Sequence, residues 1–230
     1  MKAVVFDFDG TLTKSRKGSN CWYEVWKYIN DLAYDDFLYG KYKRKEIDDI
    51  EWFKLIFERY KEKDVRRKYL HNISKGIELL PGTYETLKCL NNNGIKIFIL
   101  SGGIRQIIDD VLQRESVNEF ITSIETYDLI FDNKGKLIDY KRPNLHNPEN
   151  KNEYIDLIKK QYNLKSSEIL FVGNGANDET VYLSGAKTLC INPDDADISN
   201  KKVWHYGIEN CENLTQILKY CDISNNRISL

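Results

Sequence analysis

Short apolar runs alternate along the chain with segments whose apolar residues recur at helical spacing. Four runs rich in Val, Ile and Phe predict buried parallel strands, at residues 2–6, 95–100, 169–172 and 188–191. Helical patterns lie beside them, at residues 84–91, 104–113, 149–162 and 178–184. Because alternating strands and helices pack as a sheet covered on both faces, the pattern predicts an α/β fold with a doubly wound parallel sheet.

Between residues 14 and 79 dense charge replaces the strand-like runs. Aromatic and aliphatic residues recur there at helical spacing, namely Trp22, Trp26, Ile29 and Leu32, then Ile50, Phe53, Ile56 and Phe57. The segment predicts a helical insertion with an aromatic stripe as its core, and Pro81-Gly82 indicates the return to the α/β unit. Two later runs, 129–131 and 137–140, flank turn residues and predict a hairpin.

These patterns predict three parts of the chain. A discontinuous core comprises residues 1–13 and 78–223, and the helical insertion comprises residues 14–77. The last residues, 224–230, form a polar tail that we expect to be frayed.

Composition narrows the classes of function. Thirty-four basic and 35 acidic side chains nearly cancel without a long block of like charge, so neither a nucleic-acid polymer nor a membrane is an expected partner. No apolar stretch approaches the roughly 18 residues of a membrane span, and no cleavage-like region precedes Asp7, so we expect a cytoplasmic protein. Five scattered cysteines predict buried thiols rather than a disulfide framework or a zinc site.

Two carboxylates follow the first predicted strand directly, at Asp7 and Asp9. Residues two apart in an extended segment share a face, so the carboxylates converge while Phe6 and Phe8 point into the core. Converging carboxylates repel unless a cation compensates them, and a divalent cation is the usual agent. The pattern indicates a phosphoryl-transfer site. The alternative is a plain strand-to-turn signal, because Asp-Gly-Thr often closes a turn.

The second strand runs into Ser101-Gly102-Gly103, ahead of a helix predicted to begin at Ile104. A hydroxyl, two unhindered backbone amides and a helix N-terminus at one point suit a phosphate group. The alternative is a tight turn that uses glycine for backbone freedom.

The third strand runs into Gly173-Asn174-Gly175-Ala176-Asn177-Asp178, whose polar groups are placed to share a metal ion with Asp7. The alternative is a glycine turn with Asn177 or Asp178 as a helix N-cap. Ligands of doubly wound sheets bind beyond the carboxyl ends of the strands, so all three polar clusters are expected on one rim.

In this order the clusters resemble the haloacid dehalogenase superfamily, and most closely its phosphoserine-phosphatase-like branch. The resemblance rests on Asp-x-Asp-Gly-Thr, a strand-terminal Ser-Gly-Gly, a lysine before the last motif and Gly-x-Gly-x-Asn-Asp, and it spans nearly the whole chain. It implies a Rossmann-like core, a type-one helical cap formed by the insertion, and a flap formed by the hairpin.

The resemblance also implies roles for the motif residues. Asp7 would be the nucleophile that takes the phosphoryl group, and Asp9 the acid and base. Ser101, Gly102 and Gly103 would bind the phosphate oxygens. Mg²⁺ would be the cofactor, and its expected ligands are Asp7, Asp9, Asn174 and Asp178.

A lysine is expected to neutralise the charge of both phosphate and carboxylate. Lys151 lies at the distance from Asn174 that fits the family pattern, and we assign it a role in catalysis and in phosphate binding. Lys141, Arg142 and Lys159 are rival candidates.

The chain departs from its relatives at two places. Asn174 stands where they usually have Asp, so the site loses one negative charge, unless Asn174, followed by Gly175, deamidates. Arg16 stands where phosphoserine phosphatases place a Glu that meets the substrate amino group, which disfavours phosphoserine. A basic and aromatic mouth of the insertion, formed by Lys14, Arg16, Lys17, Trp22 and Tyr23, would suit an anionic or ring-bearing leaving group, although its cations are as readily explained as solvent-facing. Asn177 is a further candidate for substrate contact.

The sequence therefore predicts a Mg²⁺-dependent phosphomonoesterase that acts on a small phosphorylated metabolite other than phosphoserine. A phosphotransferase of the same fold is the competing enzyme. A phosphate-ester sensor, catalytically weakened by Asn174, is the competing non-enzyme. Substrate identity and oligomeric state stay open.

Overall fold

The computed structural model describes residues 1–14, 20–143, 150–194 and 202–223, and seven strands within these ranges form one sheet. In chain order they are β1 (Ala3–Phe6), β2 (Lys96–Ile104), β3 (Ser123–Phe131), β4 (Leu137–Lys141), β5 (Ile169–Gly173), β6 (Lys187–Ile191) and β7 (Tyr206–Ile208). Across the sheet the order is β4-β3-β2-β1-β5-β6-β7, and only β3 and β4 pair antiparallel among them. The expected α/β fold with a Rossmann-like parallel sheet is confirmed.

Helices connect the strands and form the insertion. The α-helices are α1 (Cys21–Tyr28), α2 (Leu32–Lys43), α3 (Asp49–Glu62), α4 (Arg67–Ser74), α5 (Thr83–Asn92), α6 (Arg105–Arg114) and α7 (Lys151–Tyr162). Four 3₁₀ helices span Asn118–Phe120, Ser166–Glu168, Ala176–Ser184 and Leu214–Tyr220. Helices α1 to α4 all lie between β1 and α5, where the sequence predicts a helical insertion.

Both faces of the sheet are buried. Because successive residues of a strand point to opposite faces, alternate residues of one strand pack in different apolar clusters. Along β1, Val4 and Phe6 pack in one apolar cluster and Ala3 and Val5 in another. The first cluster continues into the insertion, where Trp26 is fully buried. The second cluster lies against α7. Because the insertion and the sheet share one apolar cluster, the helices of the insertion are packed against the core.

The two chain segments that join the insertion to the core run side by side. Thr13 and Leu79 form an antiparallel bridge, and the Leu80 amide donates to the Leu12 carbonyl at 2.8 Å. Lys14 forms an ion pair with Glu78 at 2.6 Å. The division into core, insertion and tail stays a prediction, and the tail 224–230 lies outside the described residues.

Several element boundaries differ from expectation. Strand β2 continues through Ser101-Gly102-Gly103 to Ile104, so α6 begins at Arg105 rather than at Ile104. Strand β3 begins at Ser123, well before the predicted hairpin arm, and β7 was not expected. The predicted helix 178–184 is a 3₁₀ helix. The hairpin itself is confirmed, because Leu129 pairs with Tyr140 in an antiparallel ladder.

All five cysteines are free; four of them are buried and Cys89 is half-buried. Among the described residues, no helix combines the length and the apolarity that crossing a membrane requires.

Candidate active site

Three polar segments meet at one edge of the sheet because β1 lies between β2 and β5. Phe6, the last residue of β1, is in register with Ile99 of β2 and with Val172 of β5. The Asp7 amide continues this ladder by donating to the Val172 carbonyl at 2.9 Å. Asp7 therefore leaves the centre of the sheet, with Ser101 on one side and Asn174 on the other.

Lys151 joins two carboxylates at this edge. It is the first residue of α7, and its Nζ donates to Asp7 Oδ1 at 3.0 Å and to Asp178 Oδ1 at 2.6 Å. All three side chains are at most 5% exposed. Asp178 Oδ2 accepts the amides of Asn174 and Gly175 at 2.9 and 3.0 Å. The cluster is thus an aspartate, a lysine and a second aspartate, held together by buried hydrogen bonds.

Of the four basic residues considered from the sequence, Lys151 is the one whose ammonium group contacts these carboxylates in the described part of the chain. Lys159 instead pairs with Asp156 and donates to the Ser184 carbonyl. Lys141 and Arg142 are exposed.

Burial sets the charge balance of the cluster. It raises the pKa of Asp7 to about 7, although Lys151 lowers that pKa. Burial also opposes the charge of Lys151, but attraction by Asp178 and Asp7 exceeds it and raises the pKa of Lys151. Lys151 therefore stays charged, and its attraction only partly offsets the burial that disfavours the ionised form of Asp7.

Asp9 lies on the insertion side of the site. Its Oδ1 accepts a hydrogen bond from the Cys21 thiol at 3.2 Å, and burial raises the pKa of Asp9 to about 6 against the effect of this bond. Burial and the nearby Asp9 charge raise the pKa of Cys21, so the thiol stays protonated and donates. Sequence reasoning missed Cys21, because a single cysteine at a helix start carries no pattern.

The segment 101–103 approaches Asp9 closely because Gly103 has no side chain. A Cβ at Gly103 would lie 3.0 Å from Asp9 Oδ2, 3.1 Å from Cys21 Sγ and 3.2 Å from Ser101 Oγ. The Gly103 amide donates to Ser101 Oγ at 3.0 Å, and Ser101 is buried. Gly102 is exposed, and its carbonyl accepts the Trp22 indole N–H at 2.7 Å. The predicted phosphate-binding segment is thus in contact with the acid/base candidate and with the insertion.

Asn174 is held on three sides. Its Oδ1 accepts the Thr11 hydroxyl at 3.3 Å, and its Nδ2 donates to Asp194 Oδ1 at 2.9 Å. Gly10, at φ 75°, lies so close that a side chain there would overlap the Asn174 amide. Asp194 was not among the predicted site residues. Asn177, a predicted substrate contact, is exposed.

The oxygen donors at this edge fit a hard divalent cation. The Asp7 carboxylate, the Asp9 backbone carbonyl and the Asn174 side-chain amide supply oxygens of the kind that Mg²⁺ prefers. Burial raises the pKa of Asp7, and a bound cation would oppose that effect and favour the ionised carboxylate. Within the described residues no group of three acidic, His or Cys side chains is arranged to hold a metal by itself. Asp178 has its oxygens on Lys151 and on two amides, which favours an orienting role over the expected ligand role.

A cavity of about 440 Å³ opens beside Asp9, between the core and the insertion. Its wall includes Lys14, Lys27, Glu24 and Glu78, which form the ion pairs Lys14–Glu78 and Lys27–Glu24. The predicted basic mouth is therefore charge-balanced at these positions. Arg16 and Lys17, the other predicted cations at this mouth, lie outside the described residues.

The central strand of this α/β sheet is followed by a buried aspartate, Asp7, whose carboxylate contacts the buried ammonium group of Lys151. A carboxylate held in this way can serve as a nucleophile in a hydrolase. A family model described as haloacid dehalogenase-like hydrolase matches residues 1–180, and the chain belongs to this family. The resemblance drawn from the motifs is confirmed.

Curated relatives are phosphoserine phosphatases. The chain is 30% identical over 113 residues to SerB2 of Mycobacterium tuberculosis, covering 47% of this chain and 25% of the relative. It is 24% identical over 131 residues to the enzyme of Campylobacter jejuni, covering 52% and 56%. The chain thus spans from a quarter to somewhat over half of the length of these relatives.

Solved structures show the same fold. A phospho-aspartyl intermediate analogue of phosphoserine phosphatase superposes with a TM-score of 0.73 at 20% identity, covering 95% of this chain and 98% of the other. A haloacid dehalogenase family hydrolase from Salmonella enterica superposes with a TM-score of 0.78 at 16% identity, covering 96% and 70%. At such identities the likeness establishes the fold alone.

Proposed function

We propose that the chain is a phosphatase that hydrolyses phosphate monoesters through a covalent intermediate on Asp7. The observation that carries this proposal is the buried contact of Lys151 with Asp7 at 3.0 Å, with Asp9 two residues further on. The names of the relatives agree with it, since both are phosphoserine phosphatases.

In the first step a carboxylate oxygen of Asp7 attacks the phosphorus atom. The bond between phosphorus and the ester oxygen breaks, and Asp9 gives its proton to that leaving oxygen. Lys151 remains charged beside Asp7 and balances the charge of the phosphoryl oxygens. The products of this step are a free alcohol and phosphorylated Asp7.

In the second step Asp9 acts in the opposite sense. Its carboxylate takes a proton from water as the water oxygen attacks phosphorus, and Asp7 leaves as a carboxylate with release of inorganic phosphate. The pKa of Asp9, about 6, suits both roles, because a group that titrates near neutral pH is readily protonated and deprotonated. The thiol of Cys21 keeps the Asp9 carboxylate in place for both steps.

Mg²⁺ is the proposed cofactor, with Asp7, Asp9 through its backbone carbonyl, and Asn174 as ligands. When bound it would supply positive charge that favours ionised Asp7 and offsets the charge of the phosphoryl oxygens. Asp178 orients Lys151 in this proposal and leaves ligation to the other residues.

The phosphoryl group is proposed to sit against the segment 101–103, and the leaving group in the cavity beside Asp9. Its volume, about 440 Å³, suits a small metabolite. The Trp22 indole N–H bonds to the Gly102 carbonyl and so ties the insertion to the segment proposed to hold the phosphoryl group. The charged residues of the cavity wall form ion pairs and do not by themselves select a leaving group. The preference against phosphoserine therefore rests on Arg16 in the sequence, and a panel of substrates has to identify the leaving group.

The test is phosphate release from a panel of phosphomonoesters with Mg²⁺, with EDTA, and with the variant Asp7→Asn. Asp36→Asn is the matched control, because Asp36 is an exposed carboxylate on α2. We expect turnover that EDTA and Asp7→Asn abolish and that Asp36→Asn keeps, with a phosphorylated peptide containing Asp7 after acid quench.

Two outcomes would redirect the proposal. Binding of phosphate esters without release of phosphate, in protein that binds Mg²⁺, would favour the sensor. Transfer of phosphate to added alcohols in preference to water would favour the phosphotransferase.

A further inference from the structure

Asn174 and Asp194 form a reciprocal pair at the edge of the active site. The Asn174 side-chain amide donates to Asp194 Oδ1 at 2.9 Å, and the Asp194 backbone amide donates to the Asn174 carbonyl at 3.1 Å. Asn174 itself is 3% exposed. The pair joins the segment after β5 to the segment after β6, so two neighbouring strands deliver it to one place.

The contacts fix which way the Asn174 amide faces. Its nitrogen points to Asp194, because a carboxylate accepts hydrogen bonds and an amide nitrogen donates them. Its oxygen therefore points to the Thr11 hydroxyl, which donates to it at 3.3 Å. Gly175 leaves room for the Asp194 carboxylate beside Asn174, since a Cβ at Gly175 would lie 3.3 Å from Asp194 Oδ2, a tight contact.

This geometry explains why residue 174 is an amide. An aspartate at 174 would place a second carboxylate against Asp194, with no proton between them, and like charges at this distance repel. The negative charge that the site lacks at 174 is present at 194. The two positions together carry one amide and one carboxylate.

We propose that Asp194 is a working part of the Mg²⁺ site: through the hydrogen bond to Asn174 it orients the amide oxygen for the metal and supplies the carboxylate charge that residue 174 lacks. This inference rests on the proposed function. A carboxylate that hydrogen-bonds to a metal ligand raises the electron density of that ligand and holds its orientation, and the loss of such a partner typically costs about 10–100-fold in metal affinity.

The experiment measures Mg²⁺ binding by calorimetry on the whole chain, without substrate, for four proteins. They are the wild type, Asp194→Asn, the exchanged variant Asn174→Asp/Asp194→Asn, and the control Asp139→Asn, whose carboxylate is exposed on β4. Unfolding midpoints in EDTA establish that each is folded. Peptide mass mapping establishes that Asn174 has not deamidated.

We expect Asp194→Asn to bind Mg²⁺ about 10–100-fold more weakly than the wild type. The exchanged variant, which reverses the amide and the carboxylate, should recover affinity to within about three-fold, and Asp139→Asn should match the wild type. Equal binding by Asp194→Asn and the wild type would overturn the inference, and so would an exchanged variant no better than Asp194→Asn.

The outcomes also separate this inference from the proposed function. A wild type that releases phosphate and binds Mg²⁺, with Asp194→Asn unchanged in affinity, refutes the role of Asp194 and leaves the phosphatase intact. A wild type that neither binds Mg²⁺ nor releases phosphate refutes both.

Discussion

Replacing Lys151 by Met tests the buried cluster through stability, without any substrate. Methionine keeps most of the length and the apolar stem of lysine and removes the charge. Asp7 and Asp178, which Lys151 contacts at 3.0 and 2.6 Å, would then be two buried carboxylates without their common cation. The variant should therefore be much less stable than the wild type, whether or not the protein is a phosphatase.

The distances give the size of the effect. At an effective dielectric constant of about 20, each contact corresponds to roughly 5–6 kcal/mol of Coulomb energy, most of which the desolvation of the three ions offsets. Removing one partner of a buried pair typically costs about 3–5 kcal/mol, because the remaining charge is left uncompensated. Since a domain is stable by about 5–15 kcal/mol, Lys151→Met should lose roughly a fifth or more of the total.

The assay is urea unfolding at pH 7.5 in EDTA, with Lys159→Met as the matched control. Lys159 also lies on α7 but pairs with the exposed Asp156, so its loss should cost at most about 1 kcal/mol. The penalty of Lys151→Met should shrink at pH 5, because burial raises the pKa of Asp7 to about 7 and its protonation relieves one uncompensated charge. A Lys151→Met protein within 1 kcal/mol of the control variant, or a penalty that does not depend on pH, would refute this account of the cluster.

Three further predictions concern single side chains. Gly103→Ala, whose Cβ would lie 3.0 Å from Asp9 Oδ2, should lower kcat/KM at least about ten-fold, whereas Gly207→Ala, which has open space on β7, should match the wild type; equal losses in the two would contradict the geometry. Cys21→Val should lower kcat about ten-fold with little change in KM. Cys21→Ser, which keeps a hydrogen-bond donor for Asp9, should recover most of the lost kcat; equal kcat values for Cys21→Val and Cys21→Ser would exclude a positioning role. Burial and Asp36 raise the pKa of Asp35 to about 6, so its cost to stability is absent below about pH 4 and complete above pH 6; Asp35→Asn should therefore gain about 1–2 kcal/mol in urea unfolding at pH 8 and nothing at pH 4, and a gain equal at both pH values would contradict the assignment.

Sequence reasoning located the rim of the site because strand ends follow from apolar runs. Asp7 and Asn174 directly follow buried strands, and parallel neighbours bring such ends together. The early part of β3 was harder to predict, since polar residues such as Glu125 and Thr126 interrupt the apolar pattern there. Gly103 is predicted from the sequence to offer its amide to a phosphate group, with a tight turn as the alternative, but the strand continues through it and its missing side chain admits Asp9.

The residues that hydrogen-bond to the site residues could not be predicted from the sequence, for a different reason. Asp194 and Cys21 contact Asn174 and Asp9 because distant segments pack together, and neither carries a periodic or motif signal. Lys151 was singled out from four basic residues by its distance to the last motif, which carries no information on packing. The fold had to be known before the contact of Lys151 with both carboxylates could separate it from Lys159.

The antiparallel bridge between Thr13 and Leu79 makes the insertion a replaceable module. Its two ends leave the core at the same place, so closing the chain there with a short turn would add little loop entropy and would leave the register of β1 and β2 unchanged. Segments of different length can be exchanged at such a junction if they restore the apolar contacts with the sheet and a donor to Asp9 in place of Cys21. The strand ends that carry Asp7 would then keep their place while the surface above them changes.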